Sequence, residues 1–304
     1  MKERIQKALT QAGVMSRRKT EELIKQGKIT VNGRPAEIGQ QVDLARDVVV
    51  VDGKRVYAPR KKKNVYIMMN KPRGYVTTTS DELGRRNVMD LLSDVEERVY
   101  PIGRLDKNSE GLLLFTNDGD FANRLMHPKS LVSKTYRVTV RPRMTEEMAI
   151  KLSVGVDIGE GEITQPASVV ILESTPDKSA VQITITEGKN RQIRRMCEAV
   201  GLEVARLRRV SEGPLKLGML QPGQWRELKK SEVIALRNAS RPKDAPMEGL
   251  NGPDTETTAF GSFGKEKKPK HKSNGYNNSY NTRDSKNSFS KKKKKNKGNG
   301  YSHR

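Results

Sequence analysis

Residues 103–115, Gly-Arg-Leu-Asp-Lys-Asn-Ser-Glu-Gly-Leu-Leu-Leu-Phe, run a polar, turn-forming stretch straight into an apolar one. A short apolar run entered through a turn reads as a strand, here Leu112–Thr116, and places the turn at the strand's entrance. One carboxylate, Asp106, sits in that turn two residues after Arg104. The chain around it is strongly basic, with a formal net charge of +23 and a pI of about 10.0. That balance points to a polyanionic partner, because phosphate contacts dominate nucleic-acid affinity. An anionic membrane surface is the rival explanation. Among phosphates a carboxylate is repelled, so Asp106 is either neutralised by Arg104 or employed in chemistry on the nucleic acid.

Several function classes fall away. No apolar run is long enough for a membrane-spanning helix, and Met1-Lys2-Glu3-Arg4 leads into an amphipathic pattern rather than a signal-peptide core. A cytoplasmic protein with no membrane partner is expected. Cys197 is the single cysteine, which excludes a disulfide within the chain and a cysteine-based metal site. His127, His271 and His303 are too scattered for a histidine cluster. Neither a metal nor an organic cofactor is expected.

The 304 residues suffice for two domains and a tail. Residues 1–60 form one predicted module. Ile5, Ala8, Leu9 and Ala12 recur at helical spacing up to Gly13, and Ser16 is a predicted N-cap for a second helix, Arg17–Gln26, with Leu23 and Ile24 inward. The strands Ile29–Val31 and Val48–Val51 follow, each closed by a hairpin signal, Asn32-Gly33 and Asp52-Gly53. Arg60–Lys63 reads as a charged linker. Residues 64–239 read as a second domain. Its predicted strands are Val65–Met69, Leu112–Thr116, Thr135–Val140, Ser168–Leu172 and Ala180–Thr186; its predicted helices are Phe121–Met126, Thr145–Ser153 and Gln192–Val200. That mixture implies an α+β fold on a mostly antiparallel sheet. Residues 240–304 turn to Lys, Asn, Ser and Gly and include Lys291–Lys295; a segment so poor in apolar residues is expected to be a disordered electrostatic arm.

Arg17, Arg18 and Lys19 open the second helix, with Lys28 and Arg34 close behind. Cations at a helix N-terminus oppose its dipole at a cost of about 0.3–1 kcal/mol each, a cost that phosphate binding would justify. Through Arg4–Leu9, Gly13–Arg18 and Gly27–Gly33 this module resembles the S4 RNA-binding domain. Pro101-Ile102-Gly103-Arg104-Leu105-Asp106 is similar to the active-site signature of pseudouridine synthases. Further matches lie at Asn70–Gly74, Thr116–Asp120, Asn123–Pro128, Lys134-Thr135-Tyr136 and Glu187–Met196. Together they resemble the RsuA/RluB/RluF type of ribosomal RNA pseudouridine synthase over about residues 2–236.

The resemblance implies isomerisation of one uridine in ribosomal RNA without a cofactor. The bond from C1′ to N1 breaks, the base turns, and C1′ joins C5. Such a reaction needs a carboxylate at the ribose, a rigid seat for the loose base, and a cation that keeps the carboxylate ionised and aimed. By the family pattern these parts fall to Asp106, to Tyr136 stacked on the base, and to Arg194; Leu207 resembles the apolar residue beneath the base. Arg191 and Arg195 are expected on phosphates, and Arg104 is expected to brace the Asp106 loop or hold RNA backbone. His127 is expected to be a structural cap, Lys71–Gly74 a strand-end turn, and Cys197 and Trp225 packing residues. A monomer acting on large-subunit (23S) RNA is the favoured reading. A small-subunit (16S) target and a non-catalytic ribosome-assembly factor are the alternatives.

Overall fold

The computed structural model describes residues 2–58 and 63–241; Arg60–Lys62 of the expected linker and the tail from residue 242, Lys291–Lys295 included, lie outside the described residues. The N-terminal part begins with β1 (Glu3–Arg4), α1 (Ile5–Gln11) and α2 (Arg17–Lys25). The Ser16 hydroxyl accepts the Lys19 N–H at 3.2 Å, so the expected cap is present. β2 (Ile29–Val31), β3 (Arg34–Pro35), β4 (Gln41–Val42), β5 (Val49–Val51) and β6 (Lys54–Val56) follow. Four of them pair in the order β3-β2-β5-β6, while β4 pairs with β1. Asn32-Gly33 and Asp52-Gly53 all take positive φ, the backbone that lets a two-residue turn match the strand twist. Ile5, Leu9, Leu23, Ile29, Val42 and Val49 form this part's own core.

Beyond residue 63 the elements are β7 (Tyr66–Lys71), β8 (Tyr100–Ile102), β9 (Glu110–Thr116), α3 (Gly119–Met126), β10 (Lys134–Arg141), α4 (Glu146–Val154), β11 (Ser168–Ser174), β12 (Ser179–Ile185), α5 (Gln192–Ala199), β13 (Glu203–Glu212), β14 (Leu215–Lys216), β15 (Trp225–Glu227) and α6 (Lys230–Ala239). They build a nine-stranded sheet ordered β11-β12-β10-β13-β9-β7-β15, with β8 on β9 and β14 on β13. Its pairs are antiparallel except β9 with β13, so the expected α+β class holds. No helix among the described residues is long and apolar enough to cross a membrane.

The apolar run at 112–115 is explained by burial on both faces. Side chains alternate along a strand, so Leu113 and Phe115 join the core with Ile67, Val138 and Met196, while Leu112 and Leu114 join the opposite core with Phe121, Leu125 and Leu236. Residues 203–212, absent from the predicted strands, form the longest strand described. Its buried positions hold Leu207 and Arg209 and its outward ones Arg206 and Arg208, so a charged residue on the inner face hides the alternation.

The segment 103–109 joining β8 to β9 carries Asp106, and three anchors hold it. Lys71, fully buried at the end of β7, donates from Nζ to the carbonyls of Ser109 at 2.9 Å and of Asp106 and Pro72 at 3.1 Å. The Thr77 hydroxyl donates to the Leu105 carbonyl at 2.7 Å, and Gly74 N–H donates to the Lys107 carbonyl at 2.8 Å. Lys71 is thus more than part of the expected strand-end turn. Downstream, Gly111 pairs with Arg209 in the parallel register at a φ of 106°. A Cβ there would overlap the Arg209 backbone, so the strand approach requires glycine. Gly111→Ala should cost about 2–4 kcal/mol in denaturant unfolding. Gly188→Ala, whose added carbon meets nothing within 4 Å, should unfold like the parent.

Candidate active site

The Asp106 loop opens onto a cleft of about 1050 Å³, lined by residues from β8, β10, β12, β13 and the 186–193 segment. Asp106, Tyr136, Arg191, Leu207 and Arg104 all line it. The Asp106 side chain is 37% exposed, accessible yet set within the cleft. Two guanidinium groups approach its Oδ2: Arg191 Nη1 at 3.7 Å and Arg194 Nε at 3.9 Å. Both distances exceed a hydrogen bond. The cations therefore act on Asp106 by charge, and leave the carboxylate lone pairs available to a ribose.

The two arginines are mounted differently. Arg194, in the first turn of α5, is 17% exposed and donates to the Val204 carbonyl at 3.1 Å and the Asn108 carbonyl at 3.4 Å. It thereby ties α5 to both β13 and the Asp106 loop. Arg191 precedes α5 with φ at 47°, a left-handed backbone uncommon outside glycine, and its side chain is 55% exposed. The sequence reading gave Arg191 to phosphates and Arg194 to Asp106. The structure sets Arg191 as close to the carboxylate, because the left-handed turn swings it out of the helical spacing on which that division rested.

Arg195 faces away. Its Nε donates to the Ile158 carbonyl at 2.8 Å and its Nη1 pairs with Glu162 at 3.0 Å, so it ties α5 to the loop after α4 rather than standing ready for RNA. Arg104 is exposed on the cleft rim, and bracing of the loop comes instead from Lys71 and Thr77. Around Arg191 the backbone is held by Gln192, whose Nε2 donates to Glu187 at 2.6 Å and whose Oε1 accepts the Lys189 N–H at 3.0 Å. Burial and the nearby Asp106 and Glu110 carboxylates act on Lys71 in opposite senses; burial wins and brings its pKa down to about 8.

The cleft floor is the β10–β13 pair. Tyr136 is 8% exposed and belongs to the core, yet it also lines the cleft, so the packing and base-stacking readings are compatible. Leu207, opposite Val138 in register, is 6% exposed beside it. Sequence reasoning missed Arg209 and Glu212, which lie beneath the same floor as a buried ion pair at 3.4 Å. Two charges inside a run that reads as an RNA-contact stretch gave no signal of burial.

Elsewhere the expected structural roles are visible. His127 Nδ1 accepts the Lys129 N–H at 3.2 Å as a cap. Cys197 is buried, and burial pushes its thiol up to about 12. Trp225 packs partly buried on the core and donates to Asp94 at 3.3 Å. In the N-terminal part Arg17, Arg18, Lys19, Lys28 and Arg34 are all exposed. Lys19 pairs with Glu22 at 3.1 Å and Lys28 with Asp52 at 3.9 Å, surface pairs that phosphates can displace at little cost. Lys7 meets Asp120 at the start of α3 at 3.1 Å, which links this part to the wall of the cleft.

Comparisons with known proteins agree with this arrangement. A family model described as RNA pseudouridylate synthase matches residues 65–199, and an S4 domain model matches residues 3–49. The chain is 45% identical over 238 residues to ribosomal large subunit pseudouridine synthase B of Bacillus subtilis (strain 168), across 77% of this chain and 96% of the relative. It is 40% identical over 250 residues to an RNA pseudouridine synthase of Aquifex aeolicus (strain VF5), across 82% and 99%. A crystal structure of a pseudouridylate synthase aligns with a TM-score of 0.56 at 28% identity, over 77% of this chain and 99% of that one. With near-complete coverage of these relatives and an S4 domain at its start, the chain belongs to the RNA pseudouridine synthase family, of the RsuA/RluB type.

Proposed function

We propose that this enzyme isomerises one uridine of large-subunit (23S) ribosomal RNA and that Asp106 is the carboxylate acting at the ribose. The observation that carries the site assignment is the placement of Asp106: a partly exposed anion in a large cleft, flanked by Arg191 and Arg194 within 4 Å yet bonded to neither. A merely structural aspartate would be expected to saturate its oxygens with nearby donors. The name of the Bacillus subtilis relative supports a large-subunit target.

In this reading the C1′–N1 bond breaks, C1′ bonds to C5, the C5 proton leaves and N1 gains one, so the product is an isomer. Arg194 and Arg191 hold the charge of Asp106 near the ribose, and Tyr136 with Leu207 seats the loose base. Residues 1–60 act as the RNA grip through Arg17, Arg18, Lys19, Lys28 and Arg34, with Arg104 at the cleft rim; residues 64–239 do the chemistry. Arg195 leaves the RNA-contact set because its guanidinium is occupied. Turning a uridine out of its stack costs a few kcal/mol, which backbone contacts far from the pocket supply.

Incubation of purified protein with 23S and 16S transcripts, followed by site-resolved pseudouridine mapping, tests the reading. One new site in 23S RNA is expected, absent with Asp106→Asn; identical maps for both proteins sink the assignment of Asp106, and a site in 16S RNA redirects the target. Arg194→Ala should abolish turnover while RNA affinity stays within about twofold, the mark of a contact realised in the reaction. Arg191→Ala, more exposed, should weaken affinity as well as rate. Finally, a protonated Lys71 offers three N–H donors to its three carbonyls, and a neutral one offers two. The single-turnover rate should therefore fall as pH rises through about 8. A flat alkaline profile would show that the loop does not depend on that charge.

A further inference from the structure

The floor of the cleft holds a charged pair that the reaction scheme does not use. Arg209 is 2% exposed and Glu212 3% exposed, and both line the cleft. Arg209 Nε donates to the Leu112 carbonyl at 2.7 Å, and its Nη2 faces Glu212 at 3.4 Å. The same guanidinium is hydrogen-bonded to the Tyr136 hydroxyl. Removing two ions from water costs several kcal/mol each, and apolar residues of similar volume would usually do as well for stability. Such a pair directly under a functional side chain calls for a reason other than packing.

The hydrogen-bond inventory supplies one. A guanidinium has donors and no acceptor, so Tyr136 must accept from Arg209 through its phenol oxygen. Its own O–H is then directed away from Arg209. We propose that Arg209, fixed by Leu112 and Glu212, is a positioning residue that turns the Tyr136 O–H toward the uracil, where it donates to a carbonyl oxygen of the base. When the C1′–N1 bond breaks with its electron pair going to the base, negative charge spreads onto the uracil carbonyls. A preorganised donor backed by a buried cation stabilises charge that appears only then. The inference rests on the proposed uridine reaction and deepens it.

The groups facing Tyr136 are Arg209 and Glu212 from β13 and Asp106 from its loop, with Lys134 on its own strand opposite Glu212. Burial raises the phenol pKa, Arg209 opposes that rise and Glu212 adds to it. Two variants separate positioning from packing. Arg209→Met/Glu212→Leu replaces the pair by apolar residues and should melt near the parent. Its kcat should fall by about 10²-fold, the scale for a lost donor to a developing anion, with KM within about twofold. Glu212→Gln keeps the shape, and the Tyr136 ring carbon resonance in 13C-tyrosine-labelled protein, assigned by its loss in Tyr136→Phe, should titrate at lower pH than in the parent. Full kcat in the double variant overturns the proposal, as does a Tyr136 titration that Glu212→Gln leaves in place. If the double variant does not fold, the titration decides alone. That titration needs no RNA, so a parent protein inactive on every transcript would defeat the uridine reading while leaving this coupling separately measured.

Discussion

The position of Asp106 depends on one buried ammonium. Lys71 sits at the end of a strand that is apolar on both faces, and its three N–H bonds go to carbonyls at both ends of the Asp106 turn and just past its own strand. Burying a lysine costs free energy unless its protons are satisfied, and here all three are. The same bonds convert a seven-residue connection into a fixed platform. Without them residues 103–109 would be tied mainly through Thr77 and the Gly74 amide. The orientation of the carboxylate is thus set from below by a group that never meets solvent.

From that platform the site is completed by elements distant in sequence. The parallel contact of β9 with β13 draws Gly111 against Arg209, and the Arg206–Glu110 ion pair at 2.5 Å fastens the same junction at the surface. β13 then presents Leu207 to the cleft beside Tyr136 of β10, while α5, tied to β13 through Arg194 and the Val204 carbonyl, brings its arginines over Asp106. One glycine, one buried lysine and one buried arginine therefore fix the relation of carboxylate, ring and cation. Each acts through backbone carbonyls, which are less free to move than side chains.

Much of this was legible in the sequence because its signals are local. Ser16 as a cap, the two turn pairs ending in glycine, and the apolar run from Leu112 each declare themselves within a few residues. The motif around Asp106 carried the site. What stayed hidden was burial of charge. Lys71, Arg209 and Glu212 are hydrophilic by type, and a pattern reading assigns them outward; only pairing across the sheet shows them enclosed. The same blindness removed β13 from the predicted strands. The left-handed turn at Arg191 was equally invisible, since nothing in Asn190-Arg191-Gln192 marks a departure from helical spacing.

The distribution of cations resolves the conflict posed by an anion in a basic protein. Exposed arginines and lysines of the N-terminal part carry pairs too weak to resist phosphate, so they contribute affinity that salt erodes. Arg194, Lys71 and Arg209 are enclosed and hydrogen-bonded, so salt reaches them poorly and RNA backbone reaches them hardly at all. Their fields act on Asp106 and on the floor of the cleft whether or not RNA is bound. Affinity and chemistry are in this way drawn from two separate sets of positive charge. Asp106 is sheltered from the phosphates that the first set collects because the second set surrounds it.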